Sequence, residues 1–311
     1  MAKLTLEHIK GNTYYIPLPT IVGVYVDGKD AILIDSGNNK DTARQVLRLL
    51  EEHNLNPKLI INTHSNADHI GGNAYLKNQT KCKIATTKIE GYFTENPILE
   101  SAFLYGGYPS KALKNKFLLA KESEVDYIIP SNGKIVDTEL EAISLPGHYF
   151  EMIGVRTPDN VLFVADSLTP ENIITKYHFF FLLDIDSQFK TLEKLRMLEA
   201  DFFVPSHSVK TTDIKSLINI NKKKMEEIID NIKKVCYEPV MIDEVIEKMC
   251  DLYNVKLDAN QYVLVGSTIR SYITYLYENN MVEYIFDGGN IIIKAVYIVI
   301  IFKLYDEIVL V

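Results

Sequence analysis

The chain has 311 residues, 47% of them hydrophobic, and a formal net charge of −8. This length and apolar content suffice for one large core and a small second domain, and the acidic balance disfavours nucleic acid as the main partner, because nucleic-acid binding requires a basic face. The three cysteines, Cys82, Cys236 and Cys250, show no CxxC spacing, so neither a disulfide framework nor a thiolate zinc site is indicated and a reducing cytoplasm is the expected compartment.

The N-terminal segment predicts strands followed by a helix. Strand-like runs occupy 12–17, 20–26 and 30–35, and the turn signal at 27–30 predicts a hairpin between the last two. A helix is predicted at 40–54, because apolar residues recur there at spacings of three and four. The residues of that stripe are Ala43, Val46, Leu47 and Leu50.

The chain then places four side chains that can bind metals within six positions, directly after the apolar run 59–61. These side chains are His64, Asn66, Asp68 and His69. Imidazole and carboxylate groups are ligands of borderline divalent metals, and a sharp turn between a strand and a helix can aim several of them at one point. Gly71 and Gly72 follow, and we expect them to give the backbone freedom for that turn.

Taken singly, these residues also have structural explanations. His64 suits the end of a strand, Asn66 suits a turn, and Asp68 suits the cap of the following helix. The metal hypothesis therefore depends on partners elsewhere in the chain.

The middle of the chain predicts a second set of strands, preceded by a segment of a different kind. The strands are predicted at 125–129, 134–136, 139–145, 152–157 and 161–165. The preceding segment, 90–124, is rich in aromatic and aliphatic residues without a strand pattern. It is either a helical excursion that packs on the core or a lid that gives a site an apolar wall.

Three distant partners stand at the ends of strand-like runs. His148 closes the turn Pro146-Gly147-His148, Asp166 follows the run 161–165, and His207 lies just after Val204-Pro205. An unpaired carboxylate at the end of a buried run costs several kcal/mol, and a cation would offset that cost. Together with the loop after 59–61, these residues predict a metal site.

The C-terminal third predicts helices followed by a hairpin. Helices fit 212–234, 240–253 and 260–279, and two strands fit 281–286 and 291–294. We therefore expect two domains, a metal-binding domain at 1–214 and a C-terminal helical domain at 215–311. The second resembles a winged helix, and its acidic balance favours a structural or dimer-forming role over DNA binding.

The two termini do not predict a membrane or secreted protein. The first eight residues contain no apolar run long enough for a signal peptide. Residues 291–311 are mostly apolar, but four charged residues interrupt them, so they predict strands rather than a membrane span. An apolar strand edge pairs with another strand unless it is covered, so a homodimer is the expected state.

The order of the motifs resembles the metallo-β-lactamase superfamily of hydrolases: a strand followed by HxHxDH with Asn66 at the second histidine, then PGH, an aspartate at a strand end, and a late histidine. The resemblance covers about residues 1–210. It includes Asp35, which looks like the early structural aspartate of that family. The fold that it implies is α/β, a four-layer αββα sandwich. Within the superfamily the sequence looks closest to the glyoxalase II-like branch, whose metal sites contain no cysteine.

This resemblance implies a site for two metal ions. The residues that match the first metal site are His64, His148 and the bridging Asp166. Those that match the second are Asp68, His69, His207 and again Asp166. Asn66 stands where the family motif has a histidine, and its amide oxygen is a weaker zinc ligand than imidazole, although it suits harder cations. We expect a weakened first site and a divalent metal cofactor: one or two zinc ions, with iron or manganese as alternatives.

The leading hypothesis is a metal-dependent hydrolase that uses a metal-bound hydroxide on a small ester or thioester, because a divalent cation lowers the pKa of bound water and polarises a carbonyl group. By resemblance, the catalytic residue is Asp68, which orients that water. The expected partner is a small-molecule substrate.

Three alternatives stay open. His64, His148 and Asp166 form the donor set of non-haem iron oxygenases, so the chain also resembles persulfide dioxygenases. A nuclease of the same fold is disfavoured by the charge. Asn66 also fits a catalytically reduced relative that serves as a binding or scaffold protein.

Three histidines lie outside these motifs. His8 and His53 stand in polar surface contexts, which predicts structural roles. His178 lies in the aromatic run 176–181 and is either a packed ring or a pocket residue.

Overall fold

The computed structural model describes residues 4–296 and the backbone of 301–304 and 307–310. A seven-stranded sheet comes first, with its strands side by side in chain order. Its strands are β1 (Glu7–Lys10), β2 (Thr13–Ile16), β3 (Val22–Asp27), β4 (Asp30–Ile34), β5 (Asn56–Ile61), β6 (Lys83–Thr86) and β7 (Tyr127–Ile128). The strands from β1 to β4 pair antiparallel and those from β4 to β7 pair parallel.

A second sheet has five strands in the order β12-β11-β10-β9-β8. They are β8 (Gly133–Lys134), β9 (Glu141–Ser144), β10 (Ile153–Arg156), β11 (Val161–Ala165) and β12 (Phe202–Pro205). Only the pair β11 and β12 in this sheet is parallel.

The helices surround these sheets and form the C-terminal part. They are α1 (Lys40–Glu52), α2 (Ala67–Ile70), α3 (Asn73–Thr80), α4 (Lys88–Glu95), α5 (Ile98–Tyr105), α6 (Glu171–Tyr177), α7 (Ile185–Met197), α8 (Lys215–Val235), α9 (Ile242–Leu252) and α10 (Ala259–Glu278). A 3₁₀ turn covers Lys111–Leu113.

The side chains of the central strands point alternately to the two faces of each sheet, which explains why both faces are covered by other layers. In β4, Ala31 and Leu33 belong to the core under α1, whereas Ile32 and Ile34 belong to the core between the two sheets. Successive side chains of a strand point to opposite faces, so a strand that is apolar throughout is covered on both faces. The strand β11 alternates in the same way between the inter-sheet core and the outer core of the second sheet. This confirms the four-layer αββα sandwich.

Helix α1 shows how local sequence sets one outer layer. The side chain of Asn39 accepts hydrogen bonds from the amides of Asp41 and Thr42 and so caps the N-terminus. The predicted stripe, Ala43, Val46, Leu47 and Leu50, is buried against the first sheet. The strand and helix predictions for residues 12–54 are confirmed within two residues at each end.

The C-terminal region packs on the outer face of the second sheet. Three strands in the order β13-β15-β14 follow its helices: β13 (Val240–Met241), β14 (Val282–Asp287) and β15 (Asn290–Ala295). The predicted helices and hairpin are thus confirmed within three residues. One apolar cluster runs from the second sheet through α7 and α8 to α10. The boundary at residue 214 and the winged-helix likeness stay predictions.

The segment 90–124 contains the end of α4, the helix α5 and the 3₁₀ turn, and its second half is otherwise irregular and lies against this C-terminal region. Leu104, Leu113 and Leu118 form a small core with Val263 of α10. The segment is therefore the predicted helical excursion, and its movement as a lid stays a prediction.

The tail contains a further antiparallel hairpin of β16 (Ile301–Leu304) and β17 (Glu307–Leu310). The predicted dimer contact there depends on side chains outside the described residues and stays a prediction. None of the helices within residues 4–296 is long and apolar enough to cross a membrane.

Candidate metal centre

The loop after β5 leads directly into the short helix α2, and two glycines let it pack closely. The φ angles of Gly71 and Gly72 are −61° and −88°, which any residue adopts, so the expectation that they supply backbone freedom is wrong. A Cβ on Gly72 would instead overlap the carbonyl oxygen of Ser36. The glycines therefore allow two backbone segments to approach each other beneath the site.

Asp35 orients one histidine of this loop. Its carboxylate accepts hydrogen bonds from the amide and the hydroxyl of Thr63, each at 2.8 Å, and lies 2.8 Å from Nδ1 of His69. Because a carboxylate only accepts, Nδ1 carries a proton, and Nε2 of His69 faces the site, where it can bind a metal once it is deprotonated. The backbone of Asp35 has a φ of 63°, a strained value of the kind that clusters at functional sites.

Asp166 lies between the other predicted ligands. Its carboxylate oxygens are 3.1 Å from Nε2 of His207, 3.3 Å from Nε2 of His69 and 3.7 Å from Nε2 of His148. It follows Ala165, whose φ is 50°. A single carboxylate therefore faces histidines from three separate segments of the chain.

The ligand atoms fall into two groups of three, and within each group all of them lie within 4.8 Å of one another. The first group is His64, His148 and Asp166. The second group is Asp68, His69 and His207.

Nε2 of His64 is buried and has no hydrogen-bond partner in the described part of the chain, and the buried atoms Nε2 of His69 and Oδ1 of Asp166, although 3.3 Å apart, make no well-aligned hydrogen bond. Leaving buried polar atoms unsatisfied costs free energy, and two imidazole nitrogens beside a carboxylate are a donor set that a divalent cation accepts. The residues present therefore fit the metal that the motifs predict.

Backbone carbonyl groups orient two further histidines. Nδ1 of His207 is 2.7 Å from the carbonyl oxygen of Pro19, and Nδ1 of His148 is 2.8 Å from that of Phe181. A carbonyl group accepts the Nδ1 proton, so Nε2 of each ring is directed at the centre.

The charges at the centre shift the pKa values of its groups in opposite directions. Burial lowers the pKa of His64 well below its ordinary range. Burial also lowers that of His207, but the charge of Asp166 outweighs this effect and raises the pKa of His207 to about 9. Burial raises the pKa of Asp166, but His207 and His69 hold it well below its usual range. Without metal, protons on histidine neutralise this carboxylate, and a bound cation would displace them.

Asp68 is the most exposed carboxylate of the centre, with 41% of its side chain accessible. Its Oδ2 accepts a hydrogen bond of 2.7 Å from the hydroxyl of Thr20 and is 3.6 Å from Nε2 of His207. Thr20 lacks a sequence signal and was not predicted. Asp68 is thus held at the edge of the centre, with access to solvent.

Asn66 lies beside the first group and is engaged on both sides. Its Oδ1 is 2.9 Å from Nε2 of His148, and its Nδ2 donates a 2.7 Å hydrogen bond to Glu100. Its role as a metal ligand stays a prediction, because the structure places it in contact with a ligand rather than in either group of three.

The helices of the segment 90–124 bring two buried glutamates to the loop, and neither was predicted from the sequence. Glu90 accepts hydrogen bonds from the amide and hydroxyl of Ser65 and from the amide of Glu151. Burial raises the pKa of Glu90 to about 7 and that of Glu100 to about 8. The sequence shows only that each glutamate stands in a stretch with many apolar residues. Glutamates on the solvated face of a helix show the same pattern, so it does not predict burial.

A cavity of about 650 Å³ opens onto His148, Asp166 and His207. Its walls come from residues 169–181 and from residues 253–265 of the C-terminal region. None of its lining residues belongs to the segment 90–124. The apolar wall of the site is therefore formed by other elements.

The remaining histidines divide as expected into surface and cavity positions. His8 lies 3.0 Å from the carbonyl oxygen of Gly11, and His53 lies 2.8 Å from that of Leu49. His178 lines the cavity.

The chain is similar to known proteins in both sequence and fold. The model of the metallo-beta-lactamase superfamily matches residues 15–207. The hydroxyacylglutathione hydrolase GloC of Haemophilus influenzae is 27% identical over 146 residues, which are 47% of this chain and 64% of that protein. The chain thus spans less than two thirds of this relative.

Solved structures show the same fold over most of the chain. A beta-lactamase domain protein from Burkholderia ambifaria has a TM-score of 0.72 at 14% identity, and the match covers 94% of this chain and 93% of that one. A metallo-beta-lactamase family protein from Thermus thermophilus has a TM-score of 0.71 at 17% identity, with coverages of 94% and 98%. At these identities the likeness shows the fold alone.

Proposed function

Because the chain belongs to the metallo-β-lactamase superfamily, we propose that it is a metal-dependent hydrolase of a small ester or thioester. The observation that supports this most is the pair of three-residue groups with Asp166 between them. A carboxylate in this position suits a centre in which both groups bind a metal ion, most often zinc for imidazole and carboxylate donors.

The metal would be held by the two groups of three. When bound, a divalent cation lowers the pKa of water and polarises the carbonyl group of the substrate. Asp68 is held by Thr20 at the accessible edge of the centre. We assign to Asp68 the orientation of the attacking water and the acceptance of its proton.

The proposal of a thioester draws on the relative from Haemophilus influenzae, whose name is hydroxyacylglutathione hydrolase. A cavity of about 650 Å³ is within the usual size of small-molecule sites. Its mostly apolar walls suit an acyl chain.

The direct test is thiol release from S-lactoylglutathione by the full chain loaded with zinc or manganese. We expect turnover that Asp68→Asn lowers by roughly 100-fold, the usual contribution of a general base. Asp27→Asn, in the exposed hairpin turn, is the matched control and should retain full activity. The proposal would be refuted if the chain released no thiol from several different acyl thioesters with zinc and also none with manganese.

One observation supports a second function. His64, His148 and Asp166 form a compact group of two histidines and a carboxylate, the donor set of non-haem iron oxygenases. Protein purified with about one equivalent of iron, and consuming oxygen with a persulfide substrate, would support the oxygenase. Protein that binds neither zinc, manganese nor iron would support a scaffold role.

A further inference from the structure

His178 has a strained backbone at the wall of the cavity. Its φ is 57° and its ψ is −49°, directly after helix α6. A residue with a Cβ adopts this region only when its surroundings impose it, and such residues cluster at functional sites. Here the amide of His178 donates to the carbonyl oxygen of Ile174, and its ring lies 5.0 Å from the ring of Tyr253.

Lys224 of helix α8 fixes the orientation of this ring. The lysine is only 7% exposed, forms a 2.8 Å ion pair with Glu227, and lies 4.1 Å above the ring of Tyr253. Its Nζ is 3.4 Å from Nδ1 of His178. An ammonium group only donates, so Nδ1 must be the accepting nitrogen. The proton of the neutral ring is therefore on Nε2.

The surroundings also keep this ring neutral. Burial and then the charge of Lys224 lower the pKa of His178, and Glu227 opposes them weakly. The side-chain hydrogen bond of the ring within residues 4–296 is the one between Nδ1 and Lys224. The neutral ring thus carries its single donor on Nε2, at the wall of the cavity.

The cavity beside this donor has a positive character that the chain as a whole lacks. Among the described residues that line it, Asp166 of the metal centre is the only acidic one, whereas Lys176 and Lys256 both line it and are exposed. The net charge of the chain is −8. Two lysines and a neutral donor among the lining residues favour an anionic ligand group.

We propose that His178 is a substrate-binding residue that donates from Nε2 to an anionic carboxylate or phosphate group of the substrate, beside Lys176 and Lys256. The inference rests on the proposed function in one respect, because it places the substrate in the cavity above the metal centre. The apolar side chains of the walls, Ile173, Phe181 and Leu264, accept the acyl portion. The substrate class is therefore an anionic acyl ester or thioester rather than a neutral one.

Calorimetric titration of the zinc-loaded full chain tests this without any turnover. Three probes share a butylthio chain and contain no ester bond: 3-(butylthio)propanoate, the neutral 3-(butylthio)propanamide and 2-(butylthio)ethylphosphonate, which stands in for a phosphate. We expect the favoured anion to bind at least about 10-fold more tightly than the amide, the usual effect of one charge-assisted hydrogen bond. Whichever of the two anionic probes binds more tightly shows whether the site prefers a carboxylate or a phosphate group.

Variants separate this subsite from direct binding of the anion to zinc. His178→Leu should remove most of the preference for the anion over the amide, and His178→Gln, which keeps a donor near the position of Nε2, should restore part of it. The same preference in His178→Leu as in the wild type would overturn the proposal. Lys256→Ala, at an exposed site, should weaken the preference even if the His178 variants fail to fold.

The ring itself gives a second readout. Long-range ¹H–¹⁵N correlation spectra distinguish the two neutral tautomers of histidine, and the signal absent from His178→Gln identifies the residue. We expect a protonated Nε2 and an unprotonated Nδ1, with loss of this preference in Lys224→Met. A proton on Nδ1 in the wild type would overturn the assignment, and binding in this cavity without hydrolysis of thioesters would refute only the proposed function.

Discussion

Replacement of Glu90 by glutamine should change how the stability of the protein depends on pH. Glu90 is fully buried and accepts three hydrogen bonds, two from Ser65 and one from Glu151. Burial raises its pKa from the ordinary 4.5 to about 7. Between these two values the folded protein keeps a proton that the unfolded chain releases.

The sign and the size of the effect follow from that difference. Because the folded state binds more protons in this window, the free energy of unfolding falls as the pH rises from about 4.5 to about 7. A shift from 4.5 to about 7, at about 1.36 kcal/mol per unit, corresponds to roughly 3 kcal/mol. Glutamine does not ionise, so Glu90→Gln lacks this loss.

Urea denaturation of both proteins across this range measures the effect, because other titrating groups cancel in the difference. We expect the difference in the free energy of unfolding to move in favour of Glu90→Gln by about 3 kcal/mol between about pH 4.5 and 7.5. Glu124→Gln is the matched control, since its side chain is 80% exposed. A difference between Glu90→Gln and wild type that does not vary with pH would refute the reasoning.

Three other perturbations test the packing and the loop. Gly72→Ala places a Cβ against the carbonyl oxygen of Ser36, so it should cost about 1–3 kcal/mol in urea denaturation; an unchanged midpoint would contradict the close approach. Ile60→Ala removes a fully buried side chain beneath α1 and should cost about 2–5 kcal/mol in the same assay, whereas a loss below about 1 kcal/mol would mean that this core is loosely packed. Asn66→His introduces an imidazole beside His148 and should tighten zinc binding at the first group, measured by competition with a chromogenic chelator; unchanged affinity would mean that position 66 does not reach the metal.

Much of the site could be predicted because its ligands stand where strands end. His64, His148, Asp166 and His207 each follow an apolar run, and such positions converge at the edge of a sheet. The layers were predictable for a related reason, since strands that are apolar on both faces need cover on both sides. The spacing of these residues along the chain does not by itself predict that they meet at one centre. That prediction came from the order of the motifs, which resembles a known family.

What could not be predicted depends on contacts between distant segments. Glu100 lies in α5, which packs against α10 through Leu104, and Glu90 lies in the preceding helix α4; local sequence does not encode this packing. Helix α7 and strand β6 were not predicted. The tautomer of His178 depends on Lys224, which is 46 residues away in the chain.

The central claim is that Asp166 serves both groups of ligands, and zinc stoichiometry tests it most directly. After saturation and dialysis, elemental analysis should find about two zinc ions in the wild type, about one in His69→Ala and in His64→Ala, and almost none in Asp166→Asn. The two histidine variants are matched controls, because each removes one ligand from one group only. Retention of two zinc ions in Asp166→Asn would contradict the account.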